Sequence, residues 1–282
     1  MPKIQVNGAS LHYKEIGIGD KILISTQNFF FTDCHMELLA KPPYDYHVYL
    51  ITMRGYGESE HIYDNFERNW VPIWGEDVLA FAEIIGAKQF YYSGVSHGCW
   101  AGWYIAMHKP EVLIGFVATS GIVQFTPPDM GEKFPPKMDI DLDSIISNRE
   151  ALSKMSWDTF YPTKDPKRLS RRAACKKEHL DIMVGRKKEE FKVANTNMSC
   201  CDAHTEQEFY HELSKIPVPI LIVNGIRDTA STCDKAMKVA SIIPGSKMIT
   251  YEHFEHAGPD ECPEIVARDC DRFFKDTEER IL

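Results

Sequence analysis

No run of apolar residues in this chain approaches the roughly 18 that a helix needs to cross a bilayer. The first residues, Met1-Pro2-Lys3-Ile4-Gln5, lack the apolar stretch of a secretory leader. A soluble, cytoplasmic protein with no membrane partner is therefore expected. Positive charge is in short supply: 32 Lys and Arg stand against 41 Asp and Glu, for a formal net charge of −9. Nucleic acids and anionic membranes are bound through basic faces, so neither is expected as a partner. Cysteine is present but unpatterned. Cys34, Cys99, Cys175, Cys200, Cys201, Cys233, Cys262 and Cys270 form no C-x-x-C pair. Free thiols in a reducing compartment are the expectation, not a disulfide framework. No ligand cluster with metal spacing, no internal repeat and no low-complexity segment occurs.

What is present is a chain of 282 residues, long enough for one large core. Its texture alternates between strands and helices. Residues 2–6 and 9–16 read as strands joined by Asn7-Gly8, a strong two-residue hairpin signal. Strands follow at 21–25, 46–52, 89–93, 112–119, 217–224 and 246–251. Helical spacing appears at 33–41, 72–86, 101–107, 231–242 and 263–276. This rhythm predicts an α/β protein with a mostly parallel sheet covered by helices on both faces. One segment breaks it. From about residue 124 to 214 the chain is charge-rich and helical, without strand texture of its own, after Pro127-Pro128 and Pro135-Pro136. It reads as a helical insertion, a cap or lid, between core segments 1–123 and 215–282.

The chain is organised around Gly94-Val95-Ser96-His97-Gly98, set between the strand at 89–93 and the helix that follows. A strand turning sharply into a helix needs small residues on either side of its corner, and it presents the corner side chain over the sheet edge. A serine there also sits by a helix N-terminus, where developing negative charge is favoured. Ser96 is thus a candidate nucleophile. It needs a base, and the base needs an orienting group. His256 lies in Phe254-Glu255-His256-Ala257-Gly258-Pro259, a loop just after the last strand, and Asp228 lies in Gly225-Ile226-Arg227-Asp228, after the strand before it. Loops at the carboxyl ends of parallel strands are where chemistry collects. His253, at the strand end, reads as structural.

Four segments in this order resemble the α/β-hydrolase superfamily: Arg54-Gly55-Tyr56-Gly57-Glu58-Ser59, Gly94-Val95-Ser96-His97-Gly98, Gly225-Ile226-Arg227-Asp228, and His256 with Pro263-Glu264 behind it. The resemblance covers nearly the whole chain. It implies an eight-stranded α/β-hydrolase fold, a Ser96-Asp228-His256 triad, and an oxyanion hole formed by the N–H groups of His97 and Phe29. Phe30 is the alternative to Phe29 if the register shifts by one. The loop after the first buried strand departs from the superfamily's usual His-Gly and reads Gln27-Asn28. Asn28 tolerates left-handed backbone and can stand in for the glycine. Gly98 is followed by Cys99, which places a thiol beneath the turn.

The expected activity is hydrolysis of a small ester, lactone or related acyl compound through an acyl-enzyme, with C–C bond hydrolysis open and no metal or organic cofactor needed. Asn28, Phe30, Phe31, Trp157, Phe160 and Tyr161 are the candidate substrate-pocket residues. Arg168, Arg171, Arg172, Lys176 and Lys177 read as a solvated helix face. The expected partner is a small-molecule substrate, and the protein a monomer or homodimer. Two alternatives stand beside this reading. The Ser-His-Gly turn also occurs in cofactor-independent dioxygenases of the same fold, though their acid follows an earlier strand, where this chain has Ser120-Gly121-Ile122. A slow-turnover small-molecule receptor or regulator is the other.

Overall fold

A computed structural model describes residues 2–28, 34–64, 68–126, 144, 146–154, 160–193 and 198–279. The chain opens on a hairpin: Lys3–Val6 (β1) pairs antiparallel with Ala9–Ile16 (β2). Asn7 and Gly8 between them both adopt left-handed backbone, with φ of 47° and 76°. That conformation matches a two-residue turn to the twist of its strands. Six further strands follow: Lys21–Gln27 (β3), Tyr46–Thr52 (β4), Phe90–Val95 (β5), Leu113–Thr119 (β6), Ile220–Gly225 (β7) and Lys247–Tyr251 (β8). They form one eight-stranded sheet in the order β1-β2-β4-β3-β5-β6-β7-β8. From β4 to β8 across the sheet every neighbouring pair is parallel, while β2 runs antiparallel to β4.

Side chains on successive strand residues point to opposite faces, and here both faces are buried. Leu23, Tyr91, Val117 and Leu221 enter one cluster with Met36, Leu39, Val266 and Phe274. Their immediate neighbours Ile24, Tyr92, Phe116 and Ile222 enter the other, with Trp74, Phe81 and Trp103. The first cluster is closed by helices Cys34–Leu39 (α1) and Pro263–Glu278, the second by Val71–Ile84 (α2) and Cys99–His108 (α3). Near-continuous apolar strands are what a sheet covered on both faces requires.

Between β6 and β7 the described residues contain no strand. They hold the helices Arg149–Lys154 (α4), Pro166–Met183 (α5), Lys188–Val193 (α6) and Glu206–Ser214 (α7). Cys233–Ile242 (α8), Gly258–Glu261 (α9) and Pro263–Glu278 (α10) complete the chain. The short α9 replaces what reads in the sequence as an irregular loop. Pro259 sits in its first turn, where the missing N–H has no intrahelical partner to lose. No helix among the described residues is long and apolar enough to cross a membrane.

Candidate active site

The chain leaves β3 towards β4 on one side of the sheet and returns to β5 on the other. The carboxyl ends of β3 and β5 therefore bound a topological switch point, the crevice where open α/β sheets bind ligands. Ser96 stands there, at the end of β5, with φ of +47°. Left-handed backbone is uncommon for a residue with a Cβ, and the corner that holds it is crowded on both sides. A Cβ on Gly94 would lie 2.6 Å from the carbonyl oxygen of Gly98, and one on Gly98 would lie 2.3 Å from that of Thr26. The turn is pinned further by the Tyr92 hydroxyl, which donates to the Gly98 carbonyl at 2.7 Å, and by the Thr26 hydroxyl, which donates to it at 3.0 Å. Cys99 lies buried beneath the turn with its sulfur 3.7 Å from the Thr119 carbonyl, and burial raises its thiol pKa.

Opposite Ser96 the loop after β8 carries His256. Its Nε2 lies 2.9 Å from Ser96 Oγ. Its Nδ1 lies 2.8 Å and 3.0 Å from the two carboxylate oxygens of Asp228. A carboxylate only accepts hydrogen bonds, so Nδ1 carries the proton and Nε2 is left to accept from the serine hydroxyl. Asp228, in the loop after β7, is 3% exposed. Its Oδ1 accepts the backbone N–H groups of Ala230 at 2.9 Å and Ser231 at 2.8 Å, which fix the carboxylate before the imidazole arrives. Asn224 shapes the same loop by donating to the Ser231 carbonyl at 2.8 Å. An imidazole held this way can take a hydroxyl proton, and the carboxylate behind it stabilises the resulting cation.

His97 follows the serine at the start of the helical turn, but its side chain is turned into the core. Its ring packs edge-on against Trp74 at 5.2 Å between centroids, and Nε2 lies 3.4 Å from the Tyr56 hydroxyl. Burial pushes its pKa down to about 3, so the ring is neutral. Asn28 directly follows β3. The remaining residues expected around the serine, Phe29, Phe30, Phe31 and Trp157, lie outside the described residues. Phe160 is buried against Cys175 and Ala257, the residue next to His256. Tyr161 directs its hydroxyl to Glu252 at 3.1 Å. His253 is not part of the Ser96–His256–Asp228 chain. Its ring packs on Tyr251 and Phe254, and burial, then the nearby Arg168 cation, lowers its pKa.

One expectation is corrected. Arg168 and Arg172 are not on a solvated face. Their side chains are 14% and 15% exposed and both donate to Glu261, which is fully buried. Arg171 and Lys177, at 39% and 75%, do face solvent. The buried partner lies in α9, the element that sequence reading did not identify. The spacing of 168, 172, 175 and 179, one stripe of a helix, was the available signal.

No protein-family model matches the chain. A non-heme chloroperoxidase of Streptomyces lividans is 24% identical over 282 aligned residues, covering 95% of this chain and 97% of its own. A bifunctional esterase/perhydrolase of Acinetobacter calcoaceticus is 22% identical over 283 residues, covering 95% and 97%. Among solved structures, the enol-lactonase from Burkholderia xenovorans LB400 superimposes with a TM-score of 0.71 at 17% identity, over 97% of this chain and all of that one. The chain carries the α/β-hydrolase fold.

Proposed function

We propose that this protein is a serine hydrolase that cleaves a small ester or lactone through an acyl-enzyme. The observation that carries the reading is the continuous hydrogen-bonded chain from Ser96 Oγ to His256 to Asp228, with the serine held in left-handed backbone at the carboxyl edge of the sheet. In the first step His256 Nε2 takes the Ser96 proton as Oγ attacks the substrate carbonyl carbon. The carbonyl π electrons move to oxygen, and the N–H groups of His97 and Phe29 receive that oxyanion. As the carbonyl re-forms, the C–O bond to the leaving group breaks and His256 returns the proton to the departing alcohol oxygen. Water then repeats the sequence on the acyl-serine, releasing the acid and Ser96. Asp228 keeps the imidazole in the productive tautomer throughout.

The helices between β6 and β7 act as a lid, with Phe160 against Ala257 at its edge. The names of the relatives, an esterase/perhydrolase and an enol-lactonase, support an acyl substrate. The contact of His256 with Asp228, after β7, favours hydrolysis over the dioxygenase alternative, which takes its acid from an earlier strand. Labelling with a fluorophosphonate, followed by a screen of short acyl esters and lactones, tests the reading. Covalent labelling and sustained turnover are expected. Labelling without turnover of any acyl compound would point to the receptor alternative instead.

A further inference from the structure

The loop that carries His256 is held from two sides. Its first part is anchored by the core: Ile226 N–H donates to the Tyr251 carbonyl at 3.0 Å, and Phe254 is fully buried. Its second part, Ala257 through Glu261, lies against the inserted helix α5. One stripe of that helix, Arg168, Arg172, Cys175 and His179, faces it. Arg168 donates to the His253 carbonyl at 2.8 Å and to Glu261 at 2.7 Å. Arg172 donates to the other Glu261 oxygen at 2.6 Å and to the Tyr161 carbonyl at 2.5 Å. The Cys175 thiol reaches the Asp260 carbonyl at 3.5 Å, and His179 Nε2 lies 3.3 Å from the Asp260 carboxylate. Arg172 also lies over the Phe160 ring, 4.9 Å from its centroid, and Phe160 packs on Ala257.

Two guanidinium groups sharing one buried carboxylate form a rigid joint. Charge-assisted bonds are short and directional, and in each arginine one nitrogen, Nη2, donates to two partners at once: His253 and Glu261 for Arg168, Tyr161 and Glu261 for Arg172. Arg168 grips the chain at residues 253 and 261, on either side of residue 256. A buried ion pair is weak as a source of stability, because desolvating the charges offsets their attraction. What this one supplies is geometry. We propose that Arg168 and Arg172, through Glu261, are positioning residues for His256, so that the imidazole stands within reach of Ser96 only when α5 is docked on α9. The inference rests on reading His256 as the base. It makes the helical insertion part of the proton-transfer machinery and ties its docking to the reactivity of the serine.

The variant R168M/R172M/E261Q removes all three charges, keeps similar volumes and leaves none of the three ionised, so the fold is expected to survive. Three quantities are read at equal folded fraction: the rate of fluorophosphonate labelling, kcat and KM for an acyl ester, and the low-field proton resonance of the His256 Nδ1–H. If the network positions the histidine, labelling and kcat fall together by roughly 10- to 100-fold, as a displacement near 1 Å entails. KM then changes little, and the resonance shifts or broadens. A folded variant with wild-type labelling rate and an unchanged resonance would overturn the inference. Should that variant not fold, R168K keeps a charge beside Glu261 but replaces the rigid planar guanidinium, whose Nη2 reaches both His253 and Glu261, with a shorter, flexible ammonium. Slower labelling by R168K, with R171K unaffected, supports the inference, and equal rates for R168K and wild type overturn it. A wild-type protein that does not label at all would count against the hydrolase reading, and the resonance would then decide the positioning question alone.

Discussion

The Ser96 hydroxyl lies 2.9 Å from Nε2 of His256, although the two residues are 160 positions apart in the chain. The sheet brings their loops to one edge. Ser96 ends β5, His256 follows β8, and β6 and β7 lie between in the sheet, with Asp228 following β7. Parallel strands send all three residues to the same edge, and the loops after β7 and β8 reach back towards the serine.

Removing the Ser96 hydroxyl should abolish labelling and turnover while leaving the fold intact. Ser96→Ala deletes one partly exposed oxygen and no packing contact. Circular dichroism and thermal melting should match the wild type. Retained esterase activity would place the nucleophile elsewhere.

The two neighbouring histidines should separate cleanly. His256→Ala removes the group that bridges Ser96 and Asp228, and turnover should fall by at least ~10³-fold. His253→Ala removes a ring that packs on Tyr251 and Phe254. It should lower the melting temperature modestly and leave kcat within a few-fold of wild type. Steady-state kinetics on both variants checks this, and a reversed order would contradict it.

Asp228→Asn tests the tautomer. Oδ1 would go on accepting the Ala230 and Ser231 N–H groups, which turns the new amide NH₂ towards His256. An amide donor facing Nδ1 forces the proton to Nε2, where it can no longer accept from Ser96. The loss in kcat should be large, on the scale of the about 10⁴-fold drop that the same change causes in a serine protease. KM should change little, because Asp228 lies behind the ring. A near-normal kcat would exclude Asp228 from the mechanism.

Acid should destabilise the fold through two buried histidines. His35 and His97 both have pKa values lowered to about 3, chiefly by burial. Below the ordinary value of 6.5 the unfolded chain binds protons that these folded sites refuse. Their contribution is therefore undiminished above pH 6.5 and declines as pH falls towards 3, on the order of 1 kcal/mol per pH unit for each histidine. Denaturant midpoints between pH 7 and pH 4 should show this slope, and His35→Gln should make it shallower. An identical slope in the variant would contradict the assignment for His35.

Much of this was legible in the sequence, for reasons that particular residues make clear. Asn7-Gly8 specified the hairpin because both positions need left-handed backbone. The apolar runs at Ile22–Ser25 and Ile220–Val223 specified buried parallel strands because both faces of the sheet are covered. Ser96 was singled out by its glycine-flanked strand-to-helix turn, and Asp228 and His256 by their short loops after strands. The clasp around Gly98 was not found, since the Tyr92 hydroxyl that pins it reads as one more β-strand aromatic. Nor was the burial of Arg168 and Arg172. Their partner Glu261 is 93 residues from Arg168, and a basic stripe looks solvated until the acid opposite it is placed. Phe29, Phe30, Phe31 and Trp157 lie outside the described residues.

The central claim, that Ser96 is the nucleophile of an acyl-transfer site, is tested most directly by peptide mapping of the protein after reaction with a fluorophosphonate. A single adduct is expected on the peptide containing Ser96, formed at a rate that collapses in His256→Ala and absent in Ser96→Ala. An adduct on another serine, or a Ser96→Ala protein that still labels and still turns over an ester, would contradict it.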